Sequence, residues 1–337
     1  MGLKKYIIAT LIFIIVVFGY VYSLELGDFE ASLLGYSLSL PASVWIIFPV
    51  LVIVFVTYLH IIFYGVINYF RQRAVTKDHE SMIEFIKSGL LEKTNTVKFR
   101  TKEFKNLSSI LAQFDITPKA ERFTSSDEDL NKIVGNIQDV RDGKYVNEKS
   151  FKVNENSKLA NLNLLNKVNE QIDFAVDVLK KPENYLQNIV RQAFVNVLNE
   201  KSMTTIKKVY KNIKLDKELS FKLFEKDATN NEFGFSADEI LAIVKDLEFT
   251  KNDYLAMAKI YEKMSKPDQI IATFEKLSQE VEDATAAYLH VLCEYEMIDK
   301  VKEIVALTPN NEFSAFKALL DLKESGKYYN LETISYK

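Results

Sequence analysis

The chain has a single cysteine, Cys293, and neither lysine nor arginine between Lys5 and Arg71. One cysteine excludes internal disulfides and cysteine-based metal clusters. Glycine is scarce after residue 77, and the Gly-x-x-x-x-Gly-Lys pattern of a phosphate loop is missing. The three histidines, His60, His79 and His290, include no pair at metal-ligand spacing. A formal net charge of −3 gives nucleic-acid binding no bulk electrostatic support.

Within the gap in basic residues lie two apolar runs, Tyr6–Ser23 and Val44–Phe70. About 20 residues suffice to cross roughly 30 Å of hydrocarbon, so each run is long enough to span a bilayer. Lys4 and Lys5 stand before the gap, and Arg71, Arg73 and Lys77 after it. Glu25, Asp28 and Glu30 are the only charges between the runs. Because positive charge stays on the cytoplasmic side, the pattern predicts a hairpin with both chain ends there. Lys4, Lys5, Arg71 and Arg73 are the candidate orienting residues. A cleavable signal peptide ending near Ser23 is the rival for the first run, but the second run would still leave the following domain cytoplasmic. Trp45, Tyr64 and Tyr69 sit at interfacial positions. Pro49 reads as near the start of the second helix, where a missing donor costs little.

Between the runs, Phe29, Ala31 and Leu33, then Tyr36, Leu38 and Leu40, alternate with small or polar residues around Gly35. That period predicts a short extracytoplasmic hairpin. It is too small for a ligand-binding receptor domain. His60 reads as a neutral histidine near the cytoplasmic headgroups, with a proton relay as the functional alternative.

From residue 77 onward the apolar spacing is helical. Expected helices are 77–88, 101–114, 126–141, 157–181, 184–200, 203–213, 216–228, 237–247, 251–264, 268–280, 283–296, 299–307 and 312–325. Ser125 with Glu128, and Ser236 with Glu239, have capping-box spacing. The polar stretch 141–157 reads as a loop or a short strand pair. The expected organisation is a hairpin at 1–75 (spans 4–24 and 44–70, periplasmic loop 25–43), proximal cytoplasmic helices at 76–145, a helical-repeat domain at 155–327 and a tail at 328–337. The fold class is all-α, with the membrane hairpin followed by a cytoplasmic α-solenoid.

The repeat has a spacing of 34, carried by Tyr254 with Tyr288 and by Tyr261 with Tyr295. With Met257, Ala258, Ile270, Phe274 and Leu277, the stretch from Asn252 resembles a degenerate tetratricopeptide repeat. In that family a small residue at the position of Ala258 lets paired helices approach, and Phe274 fills the gap to the next pair. Glu282 stands where the family places proline. A non-repetitive helical bundle is the alternative. Tyr254, Ala258, Tyr261, Phe274, Tyr288 and Tyr295 are the candidate packing positions.

Cys293 and His290 are three residues apart on one expected helix. A thiol–imidazole pair or half a metal site is the functional reading, and a core cysteine beside a half-buried histidine is the simpler one. Lys98, Arg100, Lys102 and Lys105 could meet anionic headgroups or form an ordinary solvated face. No catalytic, cofactor or metal residues are assigned, and no cofactor is expected.

The first 75 residues, GYVYSLELGDFEASLLGYSLSLPASVWIIFPVLVIVF in particular, resemble the lipopolysaccharide-assembly protein A module. A membrane hairpin followed by helical repeats is similar to HemY-type proteins. These resemblances imply a bacterial inner-membrane protein that scaffolds other proteins at the cytoplasmic face. The expected partners are the bilayer, proteins at that face and further copies of the chain. A non-enzymatic scaffold or adaptor in envelope biogenesis, or in assembly or quality control of a membrane complex, is the leading expectation. Alternatives are an assembly factor or chaperone of the flagellar motor, and a membrane-associated enzyme or lipid-handling protein with a site near the bilayer. A signalling receptor has little outer loop to sense with.

Overall fold

A computed structural model describes residues 3–33, 36–119, 123–230, 234–263, 266–309, 312–327 and 329. Gly35, residue 264 and the expected tail, Tyr329 apart, therefore lie outside the described residues. The chain divides into two compact units: Met1–Leu90 with Thr94–Thr117, and Leu91–Lys93 with Pro118–Lys337. The expected proximal segment, 76–145, is shared between them.

In the first unit, helix α1 (Leu3–Tyr22) leads into strands β1 (Asp28–Leu33) and β2 (Tyr36–Pro41), then helix α2 (Ala42–Leu90). Both helices carry windows long and apolar enough to cross a membrane, and only 6% of each window is buried. The core helix of a soluble domain would bury most of such a window. Here Ile15, Val16, Ile53 and Phe55 are all exposed. Where the two helices meet, Tyr6 and Tyr58 make an edge-to-face contact at 6.3 Å.

The alternation seen in the sequence sets the hairpin register. Phe29 pairs with Leu40, Ala31 with Leu38 and Leu33 with Tyr36. Gly27 takes φ +72, a left-handed conformation in which its carbonyl accepts from the Ala42 amide at 3.0 Å. Trp45 Nε1 donates to the Phe29 carbonyl at 3.1 Å and ties the hairpin to α2.

Two expectations need correction here. Pro49 lies inside α2, beyond its first turn, because the helix begins at Ala42. Its missing N–H therefore removes an interior hydrogen bond, the one that Trp45 would have accepted. The helix expected at 77–88 is also not separate. No glycine or proline interrupts residues 66–88, so α2 runs unbroken for 49 residues, about 74 Å.

The far end of α2 holds helix α3 (Lys102–Leu111) through Asp78. This buried carboxylate accepts from the Arg100 amide (2.8 Å), the Thr101 amide (2.7 Å) and the Thr101 hydroxyl (2.6 Å). Burial alone would push the Asp78 carboxyl up. The hydrogen bonds from Thr101 and Arg100 outweigh it and hold the group below the usual aspartate range. Met82, Phe85 and Phe99 form the small core beneath.

The second unit contains helices α4 (Glu128–Arg141), α5 (Lys158–Glu170), α6 (Ile172–Lys180), α7 (Gln187–Glu200), α8 (Met203–Val209) and α9 (Lys217–Ala228). These are followed by α10 (Ala237–Lys245), α11 (Lys251–Tyr261), α12 (Pro267–Glu280), α13 (Thr285–Glu294), α14 (Ile298–Ala306) and α15 (Ser314–Glu324). Successive odd-numbered helices pack on one another from α5 through α7, α9 and α11 to α13, while α10 packs on α12. One continuous apolar core runs through them, from Val168 to Leu320.

The expected helix 157–181 is broken at Gln171, whose backbone is extended. No proline or glycine marks that break. Val168 and Ala175, on the two pieces, are both fully buried. The capping box at Ser236 forms, with the Ser236 amide donating to Glu239 at 2.9 Å. The one expected at Ser125 does not. Asp127 caps α4 by accepting from the Leu130 amide, and Ser125 bonds Asn131 instead. The polar stretch after Arg141 is a loop sewn to α5 by two buried asparagines. Asn163 exchanges hydrogen bonds with the backbone of Val146, and Asn166 donates to the carbonyls of Val140 and Lys144.

Just past the end of α13, Glu296 lies in the left-handed region at φ +56. There the Met297 amide donates back to the Leu292 carbonyl at 2.8 Å. A side chain strains this conformation and glycine does not. Glu296→Gly is expected to stabilise the protein by about 0.5–1 kcal/mol, net of the entropy glycine adds to the unfolded chain. Thermal or urea unfolding of the two proteins checks it.

Candidate functional site

The candidate packing tyrosines sit at equivalent places on two helices. Tyr254 and Tyr288 are each the fourth residue of their helix, Tyr261 is the last residue of α11, and Tyr295 caps α13 just past its end. Tyr254, Ala258, Tyr261, Phe274 and Tyr288 are buried, and Tyr295 is half-buried. Tyr261 meets Phe224 at 6.1 Å and Phe274 at 6.4 Å, and Tyr254 meets Phe249 at 5.6 Å. These are packing contacts, each worth about 0.5–1.5 kcal/mol beyond area burial.

Asp227 is a fully buried carboxylate of the second unit. It accepts from the Tyr261 hydroxyl at 2.9 Å and from the Gly234 amide at 2.7 Å. Lys207 donates to the Gly234 carbonyl (2.6 Å) and to Glu239 (2.9 Å) and so closes the network. A Cβ on Gly234 would come within 2.5 Å of Asp227 Oδ1 and 2.6 Å of Met203 Cε, so the loop can approach only as glycine. Burial pushes the Asp227 carboxyl above its ordinary value, although Tyr261, Gly234 and Phe235 oppose this through hydrogen bonds. Sequence reading missed Asp227. The signal lay in its distance of 34 residues from Tyr261, the repeat spacing itself.

A second cluster lies around His290, which is buried on α13. Its Nε2 is in direct contact with Glu262 Oε1, just past the end of α11. Glu294, four residues on, brings a third donor, and the ligand atoms of Glu262, His290 and Glu294 all lie within 4.8 Å of one another. The sequence pointed instead to Cys293, three residues on. That thiol is buried in the core, where desolvation pushes it up to about 11, so it is protonated at neutral pH and a poor nucleophile or ligand. The hydroxyl of Tyr295 is buried with no hydrogen-bond partner among the described residues. Burial, reinforced by the charges of Glu262 and Glu294, raises its pKa.

A third feature is a cleft of about 580 Å³, lined in part by Tyr185, Asn188, Arg191, Lys214 and Asp216. Arg191 is held there by Asp216 and Glu218. The cleft mixes apolar walls with charged rims.

In the first unit Lys4, Lys5, Arg71 and Arg73 are exposed at the ends of the apolar stretches. His60 is exposed too, with its ring 4.4 Å from that of Tyr64. Lys98, Arg100, Lys102 and Lys105 are exposed around the start of α3. Asp78, the buried acid of that region, is taken up by Arg100 and Thr101. The chain matches no family model, no curated protein and no solved structure.

Proposed function

We propose that the protein is a non-enzymatic scaffold of the bacterial inner membrane. The hairpin α1–β1–β2–α2 anchors it with both termini cytoplasmic, and the helical domain from α5 to α15 binds protein partners. The observation that carries this reading is the order of packing: each odd-numbered helix rests on the next from α5 to α13. Stacked helix pairs of this kind build α-solenoids, whose extended surfaces hold partners without a reactive centre. Anchoring such a domain beside the bilayer raises its effective concentration for membrane-bound partners. On this reading the protein serves assembly or quality control of an envelope complex, as the sequence resemblance to the lipopolysaccharide-assembly and HemY-type proteins implies.

The buried polar groups support a structural role for the domain. Asn163 and Asn166 bond the backbone between Val140 and Val146, and Asp227 accepts from the Gly234 amide and the Tyr261 hydroxyl. The cleft beside Arg191 is the candidate docking surface. A photo-crosslinking residue at Lys214 or Asn188 of the full-length chain in native membranes is expected to capture one or a few defined proteins. The same probe at exposed Lys300 on α14, which does not line the cleft, should capture none of them. Equal labelling from all three positions would contradict the assignment of the cleft. Retention of every copurifying partner after deletion of 237–325, in a chain that still folds, would contradict the distal helices as a binding element.

A further inference from the structure

We propose that Glu262, His290 and Glu294 form a binding site for one divalent transition-metal ion of the zinc class. The three ligand atoms lie within 4.8 Å of one another. They come from two elements: Glu262 follows the last turn of α11, and His290 and Glu294 belong to α13. The spacing of four puts His290 and Glu294 on one helix face, one turn apart, as two ligands of a single ion require.

The donor chemistry suits this class of ion. One imidazole nitrogen and two carboxylate oxygens are the ligand types of open zinc sites, which take three protein ligands and leave a position for water. Imidazole favours zinc, iron, copper or nickel over calcium or magnesium, which prefer oxygen alone. Two carboxylates crowded beside one imidazole nitrogen bring negative charge that a divalent cation neutralises. Exposure rises in steps, from buried His290 through half-buried Glu262 to exposed Glu294, which gives an ion a route from solvent to the inner ligand.

A further observation concerns Tyr295, next in sequence to Glu294. Its hydroxyl is buried and unpartnered among the described residues, and buried polar atoms are otherwise almost always paired. The charges of Glu262 and Glu294 both act on this hydroxyl. The ion would join the end of α11 to α13 and stiffen that helix pair. This site is independent of the scaffold reading, since neither the cleft nor the hairpin contributes to it.

The test uses the full-length, untagged protein in detergent, stripped of metal with chelator and titrated with zinc by calorimetry. Cobalt then serves as the visible-spectrum probe of coordination. Wild type is expected to bind one zinc per chain and to melt at a higher temperature with the ion bound. Glu294 is exposed, so Glu294→Gln keeps the fold. It should weaken zinc binding at least about tenfold, the lower end of what loss of even a supporting group costs. Glu262→Gln should weaken it similarly, and both changes should alter the cobalt spectrum. A stoichiometry far below one, or wild-type affinity and spectrum in Glu294→Gln, would overturn the assignment and leave Glu262 and His290 as a simple polar pair.

Discussion

Asp227→Ala should destabilise the helical domain by about 3 kcal/mol, because it strands buried donors in one step. The Tyr261 hydroxyl and the Gly234 amide both lose their acceptor. Water cannot easily replace it in a site without exposed surface, and each stranded group costs about 1–3 kcal/mol. Some of the loss is returned, since a desolvated carboxylate is removed as well. Asp227→Asn keeps the shape and one carbonyl oxygen, and its amide nitrogen can donate to the Tyr261 oxygen. It should cost less than half as much at neutral pH. Urea unfolding of the three proteins, with the slope held constant, measures both differences.

The same residue sets a pH dependence of defined sign. Its folded pKa lies above the ordinary 3.8. Its stability contribution is therefore fully present below the unfolded value and is lost as pH rises through the higher folded one. Asp78, Asp216 and Asp253 are shifted the opposite way, so acid weakens their contributions. Comparison of wild type with Asp227→Asn cancels those shared terms. Wild type should gain on the variant as pH falls toward 3.8, and a gap that narrows instead would place the Asp227 carboxyl in a solvated setting.

Local pattern carried much of this fold. The period-2 alternation of Phe29 to Leu40 gave the strand pairing, because one face of a short hairpin must differ from the other. Ser236 and Glu239 announced the start of α10. What was not legible depends on distant or continuous structure. Nothing local shows that α2 continues past Arg71, since the change from apolar to charged composition resembles a boundary although no breaker is there. The break at Gln171 carries no proline or glycine, so no local signal announces it. The cluster at His290 was half visible. Cys293 drew attention at three residues' distance, whereas the donor that shares the site is Glu294 at four. Glu262 enters only through the packing of α11 on α13, which no local spacing encodes.

The hairpin should invert when its charges are exchanged. Lysines in place of Glu25, Asp28 and Glu30, combined with glutamates in place of Lys4, Lys5, Arg71 and Arg73, move the positive charge to the outer loop. Orientation follows the lysines and arginines flanking short loops far more than the acids, so this set reverses the dominant signal. The strand register does not depend on those side chains being acidic, because all three are exposed. Most of the exchanged chain is expected to place the loop in the cytoplasm, or to fail insertion and be degraded. Wild type should keep the loop outside. Accessibility of a cysteine placed at Ser32 to an impermeant thiol reagent reads the difference, with buried Cys293 as the internal reference.

The most direct measurement is protease treatment of intact spheroplasts carrying a folded reporter after Lys337. The reporter should be fully protected until the inner membrane is opened, and the chain should stay in the membrane pellet through alkaline carbonate. Digestion of the reporter in unbroken spheroplasts, or release of the intact chain into the soluble fraction without detergent, would contradict a cytoplasmic scaffold held by a two-helix anchor.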